Sequence, residues 1–68
     1  MELIKASVKG LTVKLWEKLS NRNAIGRSVY TITIEDGEGG MYTKELGDNK
    51  DKALIYFLDV IIDIVDVL

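Results

Sequence analysis

The residues best suited to chemistry in this sequence are basic side chains that surround its single tryptophan. The set consists of Lys5, Lys9, Lys14, Trp16, Lys18 and Arg27. Cationic side chains can follow the phosphates of single-stranded nucleic acid, and an aromatic ring can stack on a base. Trp16 would serve equally as an anchor in a protein interface, and lysines are also common on a solvated sheet face. The three interpretations stay open at this point.

The composition restricts covalent and metal chemistry. The 68 residues include no cysteine and no histidine, which excludes a disulfide framework, a thiolate nucleophile, a Cys-based zinc site and a Ser-His-Asp triad. The acidic, Gly-rich segment 36–40 could suggest a loop for phosphate or a divalent cation. Its spacing matches no calcium-binding loop, and a strand rather than a helix follows it. We therefore expect no enzymatic activity, no cofactor and no metal.

The net charge of −2 conceals an uneven distribution along the chain. Residues 1–34 carry six basic and two acidic side chains, whereas residues 35–68 carry three basic and nine acidic ones. Such asymmetry is typical of a chain that presents one surface to a polyanion or to a charged partner. The candidate nucleic-acid-binding residues all lie in the basic half.

The elements that would position these side chains follow from the alternation of apolar and polar residues. Three segments alternate with a period of two, and a fourth segment follows a Gly-rich hairpin loop, so four β-strands are predicted. The predicted strands span about 2–8, 11–19, 28–35 and 41–46. Gly10 and the segment 36–40 interrupt the alternation as turns do. An antiparallel sheet of three or four strands is expected, because the first pair and the last pair of strands are each joined by a short turn.

The C-terminal segment predicts a helix over about 49–67, with Asp48 or Asn49 able to cap its N-terminus. Three aspartates spaced four and three residues apart share one helical stripe with Tyr56 and Lys52. They are Asp59, Asp63 and Asp66. A run of β-branched residues from position 60 onward opposes helix formation, but the polar spacing favours a helix over a strand.

Apart from that stripe, the circumference of the predicted helix is apolar. A helix packed on one sheet needs an apolar stripe of only about 100°, so a second surface must cover the remainder. A helix from another subunit is the simplest cover, and association would also stabilise so short a chain. We expect a homodimer or a higher oligomer. The predicted interface consists of Ile55, Leu58, Ile61, Ile62 and Val65.

The predicted fold class is α+β, a single domain over residues 1–68 with the C-terminal helix packed on one face of the sheet (ββββα). Side-chain parity then separates the two faces of the sheet. The helix-facing side would carry Ile4, Ala6, Val8, Leu11, Val13, Leu15, Tyr30, Ile32, Ile34, Tyr42 and Leu46. The opposite side would carry Trp16 and the basic residues, with Glu35 and Glu45 as the opposing charges.

This order of elements, over residues 2–68, resembles the transcriptional-coactivator and whirly group of single-stranded-DNA-binding proteins. Within it, segment 8–13 joins the first two strands and segment 47–49 joins the last strand to the helix. The resemblance implies a dimer with paired helices and outward-facing sheets that bind single-stranded DNA. The basic residues and Trp16 would form that surface. The acidic net charge departs from the usual balance of nucleic-acid binders.

The alternative is a small protein-binding inhibitor or adaptor of phage type, similar to anti-CRISPR proteins in size and acidity. It would act through the acidic segment 36–40 and the helix. The N-terminal residues lack the pattern of a signal peptide, and the C-terminal apolar stretch is too short and too acidic to span a membrane. Together with the absence of cysteine, these features predict a cytoplasmic protein without membrane contact.

Overall fold

A four-stranded antiparallel sheet with one helix on a single face makes up the fold. The computed structural model describes residues 1–19 and 28–67. Its elements are β1 (Glu2–Val8), β2 (Leu11–Leu19), β3 (Ser28–Glu35), β4 (Met41–Gly47) and α1 (Lys50–Val67). The strands lie in the sheet in their sequence order. The predicted α+β class with ββββα order is confirmed.

A two-residue turn joins β1 to β2. Val8 pairs with Leu11, so the connection consists of Lys9 and Gly10. Both have positive φ, at 49° and 82°. Two successive positive φ values define a type I′ turn, whose twist matches that of the strands it joins. Gly10 adopts this conformation freely, whereas Lys9 is a less common residue there.

Two β-bulges adjust which side chains face the helix. The β1–β2 register shifts between Glu2 and Ile4, and the β3–β4 register shifts between Tyr30 and Thr31. The extra residues are Leu3 and Leu46, and both pack partly buried against the core. A bulge changes the face on which the preceding residues lie. Glu2 therefore pairs with Trp16 on the face away from the helix.

The core lies between the two central strands and the helix. Its buried members are Val13, Leu15, Tyr30, Ile32, Ala53, Phe57 and Ile64. Full burial of each valine, leucine or isoleucine side chain contributes about 1.5–3 kcal/mol. The four strand residues are among the six predicted helix-facing residues of β2 and β3; the other two, Leu11 and Ile34, are partly buried against the core.

Helix α1 is fixed at both ends by polar contacts. Asn49 Oδ1 accepts a hydrogen bond from the Lys52 backbone N–H at 3.0 Å, as an N-cap residue does. At the other end, Lys9 Nζ donates to the Val65 carbonyl oxygen at 2.9 Å. The helix therefore runs obliquely over the sheet, from the end of β4 to the β1–β2 turn.

This oblique course explains why Tyr42, one of the predicted helix-facing residues, lies on the correct side of the sheet but is not covered by the helix. Tyr42 pairs with Ile34 and so lies on the helix-facing side, but 51% of it remains exposed. It is located at the corner of the sheet that the helix does not cover. Among the described residues, no helix is long and apolar enough to cross a membrane.

Candidate binding surfaces

The first candidate surface is the outer face, defined as the side of the sheet opposite the helix. The strand registers place on it Glu2, Lys5, Ser7, Thr12, Lys14, Trp16, Lys18, Val29, Thr31, Thr33, Glu35, Met41, Thr43 and Glu45. Three of the predicted basic residues, Lys5, Lys14 and Lys18, are here together with Trp16. Lys5 and Lys14 are direct cross-strand neighbours, which brings two like charges together.

Trp16 is held in place on the outer face by a neighbouring strand. Its indole Nε1 donates a hydrogen bond to Thr33 Oγ1 at 2.9 Å. The Lys14 ammonium lies 5.6 Å from the centroid of the ring, a distance at which a cation and an aromatic face attract each other. The side chain is half-buried although no second layer covers this face. The indole is therefore oriented by the sheet itself and keeps part of its surface open to solvent.

The charge of the outer face is balanced rather than basic. Lys14 Nζ lies 4.0 Å from Glu2 Oε1 and 3.9 Å from Glu35 Oε1. The β1 bulge moves Glu2 to this side, so the prediction of two opposing carboxylates is wrong. Three lysines face three glutamates among the described residues of this surface. Each exposed ion pair contributes little to stability, but the balance reduces the attraction for phosphates.

One of the predicted basic residues lies away from this surface, and another falls outside the described residues. Lys9 was expected on the outer face, and this placement is wrong. The type I′ turn directs its side chain to the helix side, where it contacts the last turn of α1. Arg27 lies outside the described residues.

The second candidate surface is the helix strip, defined as four apolar residues on the side of α1 that faces away from the sheet. These are Ile55, Leu58, Ile62 and Val65, with exposed fractions of 59%, 58%, 54% and 49%. Their spacing of three, four and three residues places them in one row. Ile61, the fifth predicted interface residue, is partly buried and packs against the core. It lies beside the row rather than in it.

Charged residues border the helix strip on one side. Asp59 and Asp66 flank it, and Asp63 lies further around the helix; all three are exposed. Tyr56 completes this stripe, and the Lys44 ammonium lies 4.9 Å from the centroid of its ring. Lys44 belongs to β4, so the Tyr56 end of the stripe lies beside β4.

In segment 36–40, the carboxylate oxygen best suited to bind a ligand, Asp36 Oδ1, instead accepts hydrogen bonds from the backbone of the same turn. Asp36 Oδ1 accepts hydrogen bonds from the backbone N–H groups of Glu38, at 2.8 Å, and Gly40, at 2.9 Å. These bonds favour the ionised form and hold the pKa of the Asp36 carboxyl below its usual value. Within residues 1–19 and 28–67, no three acidic side chains are grouped as a metal site requires.

A second group with a shifted pKa, the Tyr30 hydroxyl, lies at the edge of the core. The Tyr30 hydroxyl donates to Glu17 Oε2 at 2.8 Å. This hydrogen bond, together with desolvation and the negative charge of Glu17, raises the pKa of Tyr30 above its usual value. Sequence reasoning missed the pair, although Glu17 continues the alternation of Val13 and Leu15 on the helix-facing side. The pair satisfies a hydroxyl at the core edge and leaves no reactive group there.

Comparisons with protein-family models, with curated proteins and with solved structures found no match to this chain. The functional argument therefore depends on the two surfaces alone.

Proposed function

We propose that this chain is a non-enzymatic protein-binding module whose contact surface is the helix strip. The observation that carries the proposal is the unbroken row of four large apolar side chains, each about half exposed, on the side of α1 opposite the sheet. Isolated apolar residues on a surface need no explanation, but a contiguous row is typical of an interaction site.

The surroundings of the strip fit a protein interface. A typical interface has an apolar centre, where charged residues are depleted, and a polar rim. Here Asp59 and Asp66 form such a rim beside the apolar row. Covering the half-exposed side chains would contribute roughly 1 kcal/mol for each residue. Four such residues from each of two partners can support association, although part of this gain offsets the entropy cost of binding.

Photo-cross-linking tests the proposal directly in the cells that produce the chain. The photoreactive amino acid benzoylphenylalanine replaces Leu58 in the strip or, as a matched control, Thr43 on the outer face. Both positions are exposed, so each variant should fold. We expect protein adducts from position 58 and few from position 43. Equal yields from the two positions, or nucleic-acid adducts from position 43 alone, would refute the proposal.

A second candidate function is the binding of single-stranded nucleic acid on the outer face. The specific observation in its favour is the partly exposed Trp16 indole, which Thr33 orients and Lys14 approaches. A fixed aromatic ring beside cations is the element on which a base can stack. The balanced charge of the face argues for weak binding that depends strongly on salt.

Fluorescence anisotropy with labelled oligonucleotides distinguishes this second candidate. At about 50 mM salt, binding should weaken in both Trp16→Ala and Lys14→Ala variants. Tyr42→Ala is the matched control, because Tyr42 is an exposed aromatic residue on the helix-facing side. Absence of binding by the unmodified chain, or equal losses in all three variants, would eliminate this candidate.

A further inference from the structure

The spacing of the helix strip is that of a helix-pairing seam. Ile55, Leu58, Ile62 and Val65 follow one another by three, four and three residues. Alternating steps of three and four correspond to the a and d positions of a heptad, the positions at which two helices interlock side chains. In the heptad assignment, Ile55 and Ile62 occupy a positions, and Leu58 and Val65 occupy d positions. The strip is thus suited to a second helix rather than to a flat surface.

The net charges at the two ends of α1 are reversed relative to its own dipole. The first turn carries Lys50, Asp51 and Lys52, a net charge of +1, whereas Asp63 and Asp66 lie near the C-terminus, and the last turn has no basic residue. Basic residues normally stabilise the C-terminus and acidic residues the N-terminus. An antiparallel neighbour with the same sequence would correct this arrangement, because it would bring each end of the helix beside the oppositely charged end of the other.

We propose that a second copy of this chain occupies the helix strip, with the two α1 helices antiparallel. This proposal rests on the proposed function and names the partner. In antiparallel pairing, an a residue of one helix faces a d residue of the other. Leu58 then lies opposite the partner's Ile62, and Ile55 lies opposite the partner's Val65. The four residues of each strip form four such layers around a two-fold axis.

The same register pairs the charges that flank the strip. Lys52, Asp59 and Asp66 share one flank at intervals of seven residues. In the antiparallel pair, Lys52 lies beside the partner's Asp66, and this contact occurs twice. Asp59 lies beside the partner's Asp59 at the two-fold axis, where the two carboxylates repel each other. Neither Lys52 nor Asp66 has an ion-pair partner within the described part of its own chain.

The proposed dimer has four layers, in which the two α1 helices lie between two outer sheets. Each sheet lies outside the helix pair, because the strip faces away from the sheet that α1 covers. Both outer faces, with Trp16 on each, remain open in the dimer. Two copies of any outer-face ligand site would then point in opposite directions.

Charge reversal at the two ends of the strip tests both the partner and the register. Sedimentation equilibrium between about 1 and 500 μM measures the dissociation constant. Lys52→Glu or Asp66→Lys alone replaces two attractive contacts with two repulsive ones, and each should weaken association about tenfold. A mixture of the two variants restores attraction at both contacts and should return to within about threefold of the unmodified chain. Asp63→Lys is the matched control, since Asp63 lies off the strip.

Unfolding cannot explain the expected loss in the single variants. Each change places a charge that favours the dipole of its own helix, so the isolated subunit should keep its helix content by circular dichroism. Failure of the mixture to recover would overturn the antiparallel register, because residues 52 and 66 are about 21 Å apart along a helix and would not meet in a parallel pair.

The centre of the strip gives a test of opposite sign. Asp59→Asn removes the repulsion at the two-fold axis and should tighten association about threefold or more. Asp63→Asn, which removes the same charge away from the strip, should leave the dissociation constant unchanged. Equal effects of the two changes would overturn the register.

The experiments can refute the homodimer without refuting the proposed protein-binding function. A chain that stays monomeric at about 500 μM overturns the homodimer. In that case, cross-linking from position 58 to a different protein would still support the strip as a protein-binding surface. Cross-linking of position 58 to another copy of the chain supports both proposals.

Discussion

The two sides of α1 are both apolar, yet one is covered and the other is open. Ala53, Phe57 and Ile64 are buried on the sheet, whereas residues one or two positions away, such as Leu58 and Ile62, remain more than half exposed. The two sets use the same kinds of side chain. Composition therefore does not distinguish a residue that is buried in the subunit from one that stays exposed.

What separates the two sides is the geometry of the cover. A single sheet covers a limited arc of a helix, and the arc centred on Phe57 is the one that meets the buried residues of β2 and β3. The strip is centred roughly 120° around the helix from Phe57. Truncation on the sheet side should therefore change the stability of the subunit, whereas truncation on the open side should change association.

Adjacent residues provide the largest test of this difference. Phe57 is 3% exposed and Leu58 is 58% exposed. Phe57→Ala should lower the free energy of unfolding by about 3–5 kcal/mol through lost burial and a cavity. Leu58→Ala should change it by less than about 0.5 kcal/mol when measured at a concentration at which sedimentation shows the chain to be monomeric. Chemical denaturation followed by circular dichroism measures both.

Because the larger truncation can prevent so small a subunit from folding, a milder variant serves as a second measurement. Phe57→Leu keeps most of the side chain and should retain a measurable transition with a smaller loss. Comparable losses for the Leu58 and Phe57 truncations at low concentration would break the distinction between the two sides.

Loss of the N-cap should have the second-largest effect on the free energy of unfolding, because the cap stabilises the whole helix rather than one side of it. Asn49→Ala removes the acceptor for the Lys52 N–H and should cost about 0.5–2 kcal/mol of unfolding free energy. Asn49→Asp keeps an acceptor and should retain most of the stability. An equal loss in both variants would show that the cap contributes through something other than this hydrogen bond.

Most of the architecture could be predicted because it depends on periodicity. The first three strands alternate with a period of two, the Gly-rich loop before β4 indicates a hairpin, and the aspartates of α1 repeat at helical spacing, so each element type follows from a local pattern. The buried strand residues Val13, Leu15 and Ile32 follow from the same alternation. The asparagine cap was among the two candidates that the sequence offered.

The charge of the outer face could not be predicted because two local backbone features determine it. The bulge at Leu3 moves Glu2 across the sheet, and the turn at Lys9 removes a lysine from the expected set. Both are single-residue departures from regular pairing, and periodicity contains no signal for them. A shift of one residue reverses the face of every side chain beyond it.

The contact of Lys9 with the helix C-terminus supplies a smaller test. Lys9→Met keeps the apolar stem but removes the donor to the Val65 carbonyl. We expect a loss of about 0.3–1 kcal/mol in unfolding free energy, because a cation at this end favours the helix dipole. Lys5→Met, on the outer face, is the matched control and should have little effect. Larger destabilisation by the control would contradict the placement of Lys9.

The smallest effect should be a loss of stability at alkaline pH, which arises from Tyr30 on the face of the sheet that the helix covers. The hydrogen bond to Glu17 raises the pKa of Tyr30 in the folded chain, so its stabilising contribution is present below the unfolded pKa near 10. This contribution is lost as the pH rises through the higher folded value, since the unfolded chain releases the proton first. Denaturation curves between pH 8 and 11 should therefore show a shallower decline for Tyr30→Phe than for the unmodified chain.

Tyr42 is the matched control for this pH dependence, since it lies on the same side of the sheet but outside the cover of α1. Tyr42→Phe should keep the alkaline decline of the unmodified chain. Glu17→Gln should reduce the decline, because it removes the negative charge but retains an acceptor for the hydroxyl. If Tyr42→Phe flattened the curve as strongly as Tyr30→Phe, the alkaline sensitivity would not arise from the covered side, and the contrast between covered and open surfaces would fail at this position.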